Sequence, residues 1–389
     1  MKKLSFADLV LNRPLPFSVY DDKGWLMLRE GMRLTDIDQV TKLVRRGVYR
    51  NETLDKSTPD RSDLAMSVAK PGVIRPTAEG LPPVFERVNS LTIKLKHILT
   101  TAIKTPDQID LVQRIESLAK DLQALCQEDV DATLAAPYLD HQNPDIIVHQ
   151  IMGAVAMELV ASRQGFDAEG RLPYVCAALT RDIGQLTFQG ELEKCQGPLT
   201  ETLKSQVWGH TLQGLAILAK FGLTDKVWLE SIQLHHERLD GSGYPHQLEG
   251  DAISWGGRAL AVVDVYSAMA RPRTHRKNTS LTPMMALRNL FTGKEVAIDN
   301  QLLQMLIKEI GLVPPGSLMR LQNGEVAVVK HRTSNLANAE VFSVYNPRGL
   351  PLTTPIPRST QNPEYAFSAT LAFEECRSAT LTIKRVWIK

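Results

Sequence analysis

The stretch His235-His236-Glu237-Arg238-Leu239-Asp240-Gly241-Ser242-Gly243-Tyr244-Pro245 constrains this chain more than any other. Two adjacent imidazoles and a carboxylate run straight into a turn that holds two glycines and ends on proline. Neutral imidazole is the commonest protein ligand for divalent transition metals. Neighbouring residues on a helix point roughly 100° apart, so the two rings suit two metals, or one metal and a bound molecule. Gly241 and Gly243 permit positive φ or close approach of backbone to a ligand, and Pro245 fixes the exit from the turn. The same residues also read as a helix C-terminus capped by glycine, with histidine at the negative end of the dipole.

The remainder of the chain can bury a substantial core. Of its 389 residues 43% are hydrophobic and 23% charged, as expected of a globular protein of two or three domains. Lys and Arg number 45 against 43 acidic residues, a net charge of +2 that carries no polyanion-binding signature. No nucleic acid polymer is expected as a partner, and phosphate recognition must be local. Cys126, Cys176, Cys195 and Cys376 are scattered, without a CxxC pair or a disulfide framework, which suits a reducing compartment. Asp8, Asn12, Arg13 and two prolines interrupt any signal-peptide core after Met1-Lys2-Lys3. No run approaches about 18 apolar residues, so no membrane association is expected and the expected location is cytoplasmic.

The expected fold is mainly α, with a small α+β module at residues 1–60, a proline-broken linker at 61–82, and a helical hairpin at 83–134. A helical domain follows at 135–313, and a β-rich extension at 314–389. In the first module Asp21-Asp22-Lys23-Gly24 suits a hairpin turn, and Ile37, Val40, Leu43 and Val44 recur at helical spacing over Asp36 to Arg46. The hairpin at 83–134 breaks at Thr105-Pro106-Asp107; it suits packing on the next domain, or dimerisation. In the extension, Gln322-Asn323-Gly324 marks a hairpin between Ser317–Leu321 and Glu325–Lys330. Further strands are expected at Val341–Tyr345, Tyr365–Phe373 and Ala379–Ile388.

Chemistry gathers in the helical domain, which carries His149, His210, His235 and His236, four of the chain's nine histidines. Asn143-Pro144 reads as the cap and first residue of a helix running to about Arg163. On it Asp145 and His149, four apart, share a face and could reach one metal, or make an ordinary surface contact. A second helix, about Leu172 to Thr180, leads into Arg181-Asp182-Ile183-Gly184-Gln185. Asp264, after the apolar Val262-Val263, would need a partner inside a helix.

Together these segments resemble the HD-GYP family, a branch of the HD metal-dependent phosphohydrolases that in bacteria hydrolyse cyclic di-GMP. The stretch from His235 to Pro245 is similar to the family signature, and Arg181-Asp182-Ile183-Gly184-Gln185 stands where the family has His-Asp-Ile-Gly-Lys. His210, with Gly214 and Ile217-Leu218, resembles the family's H-x3-G-x2-IL helix. The resemblance implies an HD-type all-helical domain whose metal ligands are His149, Asp182, His210, His235, His236 and Asp264, with Asp145 where some relatives place a further acid. Asp182 then maps onto the catalytic aspartate that bridges two metals. Gly241, Gly243, Tyr244 and Pro245 would contact the substrate, with Arg273 and Arg276, which match the two arginines of the family's R-P-Y-R ending where Thr274 and His275 replace its Pro and Tyr.

Two departures bear on catalysis. Arg181 replaces a metal-binding histidine with a permanently charged group that has no lone pair to donate, and Gln185 replaces a lysine. Arg181 either swings out or fills the emptied pocket as a surrogate charge, paired with Asp182 or Asp264. The resemblance therefore implies a phosphodiesterase-like signalling protein with impaired catalysis. The alternatives are a fully active metal-dependent cyclic di-GMP phosphodiesterase, and a non-catalytic regulator that binds a nucleotide or a protein partner. The expected cofactor is a divalent metal, one or two per chain, with iron or manganese foremost. The expected partners are cyclic di-GMP or a related nucleotide, a signalling protein, and a second copy of the chain.

Overall fold

The computed structural model describes residues 81–388 save 196, 272–281, 293–296 and 334, together with 2–4, 15–20, 26–28, 31–32, 43 and 48–50. The turn expected at Asp21–Gly24, most of the helix expected at Asp36–Arg46, the linker at 61–82 apart from its last two residues, and Arg273 and Arg276 lie outside these.

The chain divides into two units, Met1–Gly72 and Val73–Lys389. In the first, β1 (Lys2–Lys3), β2 (Val19–Tyr20), β3 (Leu26–Leu28) and β4 (Tyr49–Arg50) form an antiparallel sheet of order β1-β4-β2-β3. Leu4, Leu15, Phe17, Val19 and Val48 are buried against one another there.

The second unit is built on helices. α1 (Val84–Lys104) and α2 (Leu111–Glu128) form the expected antiparallel pair, and α3 (Val130–Tyr138) follows directly. α4 (Asp145–Gln164) and α5 (Ala168–Thr180) come next, then the short α6 (Gln189–Lys194). α7 (Glu201–Lys220), α8 (Lys226–Leu234), α9 (Trp255–Met269), α10 (Pro283–Phe291) and α11 (Asn300–Ile310) complete the helical body. Local chemistry sets most of these boundaries. Asp167, Thr200, Asp225 and Ser254 each accept a backbone N–H three residues on, satisfying a donor that the first turn leaves free. Gly165 ends α4 at φ 101°, a left-handed conformation that favours glycine. Asn143, expected as the cap of α4, instead donates its side-chain amide to Asp140 Oδ2 at 2.7 Å, and Pro144 takes the cap position without a side-chain bond.

α4 is the central helix, packed against α3, α5, α9 and α11 and buried from Ile146 to Ala161. Among the described residues it is the one helix long and apolar enough to cross a membrane by composition. It goes beyond the expectation that no such run exists, because its apolar residues point all round, as in a core helix, and 83% of the window is buried inside the fold.

The C-terminal sheet contains β5 (Leu318–Leu321), β6 (Val326–Val329), β7 (Glu340–Tyr345), β8 (Pro351–Ser359) and β9 (Phe367–Leu371), in the antiparallel order β8-β7-β6-β5-β9. Strand character at Ala379–Ile388 is overturned: Phe373–Ala379 is a 3-10 helix and α12 spans Thr380–Lys384. Ala379, Thr382, Ile383, Val386 and Trp387 are the buried residues of that stretch, a spacing that suits a helix rather than alternation. Trp387 stacks on Phe85 of α1 with centroids 5.5 Å apart, fastening the chain end to the helical body.

Candidate metal centre

Five segments converge on one buried site. α4 contributes His149, the turn after α5 contributes Arg181 and Asp182, α7 contributes His210, the end of α8 contributes His235 and His236, and α9 contributes Asp264. The convergence is held by close packing. A Cβ on Gly184 would lie 2.1 Å from the carbonyl oxygen of His210, so only glycine lets the Asp182 turn reach α7. Trp228 Nε1 donates to Thr180 Oγ1 at 2.7 Å, tying α8 to the residue before Arg181.

The site has two lobes. In one, ring nitrogens of His210, His235 and His236 lie within 4.8 Å of one another. His210 Nδ1 faces the Val207 carbonyl at 2.5 Å and His235 Nδ1 faces the Ile232 carbonyl at 2.7 Å. Those contacts set both rings with Nε2 turned inward, and neither Nε2 finds a hydrogen-bond partner among the described residues. Asp182 Oδ1 lies 3.7 Å from His210 Nε2. Burial pushes His235 down to about 4 against the pull of Asp264, and burial beside His235 holds His236 well below its ordinary value. Both imidazoles are therefore neutral near pH 7, the form that binds metal. These buried, inward-facing nitrogens fit a divalent cation.

The second lobe holds His149, Asp182 and Asp264, with ligand atoms again within 4.8 Å. Here the residues present do not fit a second cation. Arg181, fully buried, sets its Nε 2.9 Å from Asp264 Oδ1 and 3.6 Å from Asp182 Oδ2. Its other nitrogens donate to the carbonyls of Ala178 at 2.7 Å and His149 at 3.0 Å. His149 Nε2 shares Asp264 Oδ1 at 2.9 Å. Burial alone would raise the Asp264 carboxyl, but the His149 hydrogen bond and the Arg181 charge outweigh it and hold the group well below the usual range. Burial likewise opposes ionisation of Asp182, and Arg181 and His149 overcome it.

The other expected site residues fall as follows. Asp145 joins neither lobe; it pairs with Arg271 at 3.3 Å, and Arg271 is itself anchored on the carbonyls of Pro137 and Asp140. Gln185 donates to Gln189 Oε1 at 2.9 Å. Gly241 adopts φ 74°, and a Cβ on Gly243 would lie 2.4 Å from the backbone of Glu237 and Arg238, so both glycines are required by the turn itself. Tyr244 stacks on His236 with centroids 4.7 Å apart, and a cis peptide joins it to Pro245.

Two contributors escaped the sequence reading. Glu237 is not turned to the metal lobes: it accepts the backbone N–H groups of His246 at 2.6 Å and Leu248 at 3.0 Å, bracing the loop from beneath. Its place beside two histidines says nothing of that task, which the two amides reveal. Gly153, one turn after His149, makes room for the guanidinium: a Cβ there would stand 2.5 Å from an Arg181 terminal nitrogen. A glycine inside an otherwise apolar helix was the available signal.

Residues 134–302 match the profile of the HD domain family. The chain is 30% identical over 153 residues to the cyclic di-GMP phosphodiesterase PA4108 of Pseudomonas aeruginosa, covering 39% of this chain and 36% of that protein. It is 28% identical over 211 residues to the 3'3'-cGAMP-specific phosphodiesterase 3 of Vibrio cholerae, covering 53% and 45%. A cyclic di-GMP phosphodiesterase of Vibrio cholerae is 50% identical over 106 residues, covering 26% and 22%. The chain thus spans less than half the length of each of these relatives.

Proposed function

We propose that this chain, whose residues 134–302 form an HD-GYP-type HD domain, is a signalling protein that binds a cyclic dinucleotide of the cyclic di-GMP class and hydrolyses it poorly or not at all. The observation that carries the reading is Arg181, buried against Asp264 at 2.9 Å inside one of the two ligand lobes. His210, His235, His236 and Asp182 would hold one divalent metal, iron or manganese foremost. Such an ion would supply Lewis-acid polarisation of a phosphate oxygen and a more acidic bound water.

The chain's own residues would do the rest. Asp182, with oxygens facing both lobes, would orient the ligand set. Arg181 fixes a permanent positive charge in the second lobe, 2.9 Å from Asp264 and 3.6 Å from the Asp182 oxygen that has no hydrogen-bond partner among the described residues, and has no lone pair to donate. Two-metal hydrolysis relies on cations on both sides of the attacking and leaving oxygens, and only one such place remains here. Gln185 adds no charge where a phosphate would sit. The turn from Gly241 to Pro245, braced by Glu237, keeps a shaped wall beside His236.

The test is calorimetric titration of the purified full chain with cyclic di-GMP and 3'3'-cGAMP, alongside chromatography of the products after incubation with iron or manganese. Saturable binding with little or no linear or mononucleotide product is expected. Rapid turnover would contradict impaired catalysis, and absence of binding would contradict the ligand class.

A further inference from the structure

An aromatic run leads from the histidine lobe to the surface. His236 stacks on Tyr244, and Tyr244 lies beside Trp208 with centroids 6.4 Å apart and planes inclined 35°. Trp208 belongs to α7, two residues before His210, yet it is 62% exposed. Leu212, one turn further along the same face, is 45% exposed. The other tryptophans of the second unit are committed to packing. Trp228 and Trp387 are buried, and Trp255 makes edge contacts with Phe166 and Tyr174. Single exposed apolar residues need no explanation in general. A tryptophan left in water beside a tyrosine that stacks on a candidate metal-binding histidine is a different matter, because its ring is continuous with the site.

The charge around this run suits an anionic ligand that carries aromatic rings. Arg238 is half-buried just before the turn, and its guanidinium is held by the carbonyls of His235 and Glu237. Phosphate would be drawn towards the histidine lobe and the guanidinium, and a flat ring attached to it would meet Tyr244 and Trp208. Stacking on aromatic side chains tolerates any base, since every base has a π-face, and larger purine rings gain more area from it.

We propose that Trp208, together with Tyr244, forms the stacking platform for a purine base of the bound cyclic dinucleotide. The inference rests on the ligand class proposed above. Trp208 acts as a ligand-binding residue outside the metal-binding set, and Leu212 extends its apolar rim.

The full chain carrying Trp208→Ala or Trp208→Phe is titrated with cyclic di-GMP, and metal content is measured in parallel. Trp208→Ala should weaken binding about 10- to 100-fold, and Trp208→Phe should stay within about 3-fold of wild type, because stacking survives with a smaller ring. Metal content should be unchanged in both. The wild type should show ligand-dependent tryptophan quenching that Trp208→Phe lacks. Wild-type affinity in Trp208→Ala overturns the platform and leaves the ligand class standing, as would a surface that serves another protein. Equal losses in both variants accompanied by metal loss also overturn it, since the role would then be structural. A wild-type chain that binds neither cyclic di-GMP nor 3'3'-cGAMP overturns the ligand class, and the platform with it.

Discussion

Arg181 Nε and His149 Nε2 both reach the same oxygen of Asp264, each at 2.9 Å. One carboxylate oxygen therefore receives a permanent charge and an imidazole inside a buried lobe. Removing one member of a buried ion pair leaves its partner uncompensated, which is worth more than the net stability of the pair. Arg181→Ala should accordingly destabilise the metal-free protein by about 3–5 kcal/mol. Added divalent metal should restore part of that loss. Denaturant unfolding with and without manganese measures both effects.

Gly153 and Arg181 should be energetically coupled. Gly153→Ala gains about 1 kcal/mol of helix propensity. It also drives a Cβ to 2.5 Å from the guanidinium, and overpacking of that kind costs about 1–3 kcal/mol. The net effect in the wild type should be a loss. In an Arg181→His background the shorter side chain vacates the space, so the same substitution should become neutral or stabilising. A double-mutant cycle on unfolding free energies reads this change of sign directly.

The metal-free protein should weaken on mild acidification. His235, pushed down to about 4 by burial, stays neutral in the fold but takes up a proton near its ordinary value once unfolded. Its contribution is complete above the unfolded value and is lost as pH falls towards the folded one. Between pH 7 and pH 5 that amounts to about 2 kcal/mol from His235 alone. Asp182 and Asp264, whose carboxyls are lowered, lose their contribution only below the ordinary aspartate value and do not enter this window. Chemical denaturation at both pH values, with His235→Asn as the paired control, should give a smaller drop in the variant.

Glu237→Gln should loosen the loop without touching either lobe. The carboxylate accepts two backbone amides, and an amide side chain can accept with only one of its two heads. A cost of about 1–3 kcal/mol follows if the displaced donor stays buried. Hydrogen exchange at His246 and Leu248 should accelerate, whereas exchange in α4 and α9 should not.

The ligand candidates were legible through the family resemblance, and each lies on a helix or at its end. His149, Asp182, His210, His235, His236 and Asp264 all reach the site. Spacing did not reveal the destination of Arg181. Swinging out and filling the lobe are equally consistent with the local sequence, and the choice depends on Gly153, which stands far away along the chain. Spacing left Asp145 open between a metal ligand and an ordinary contact, and the structure pairs it with Arg271, just after α9. β8 was missed because Pro351, Pro355 and Pro357 argue against a strand, yet it lies at the sheet edge, where missing N–H donors are tolerated. Thr380–Lys384 was misread because Thr380, Thr382 and Ile383 are β-branched and favour strands, while burial follows the helical period.

Metal stoichiometry tests the central claim most directly. Elemental analysis of anaerobically purified wild type and Arg181→His compares the same fold with and without the internal cation. The account predicts about one divalent metal per wild-type chain, rising towards two in Arg181→His with a gain in cyclic di-GMP hydrolysis. Two metals per chain in the wild type, or no change in metal content on substitution, would contradict it.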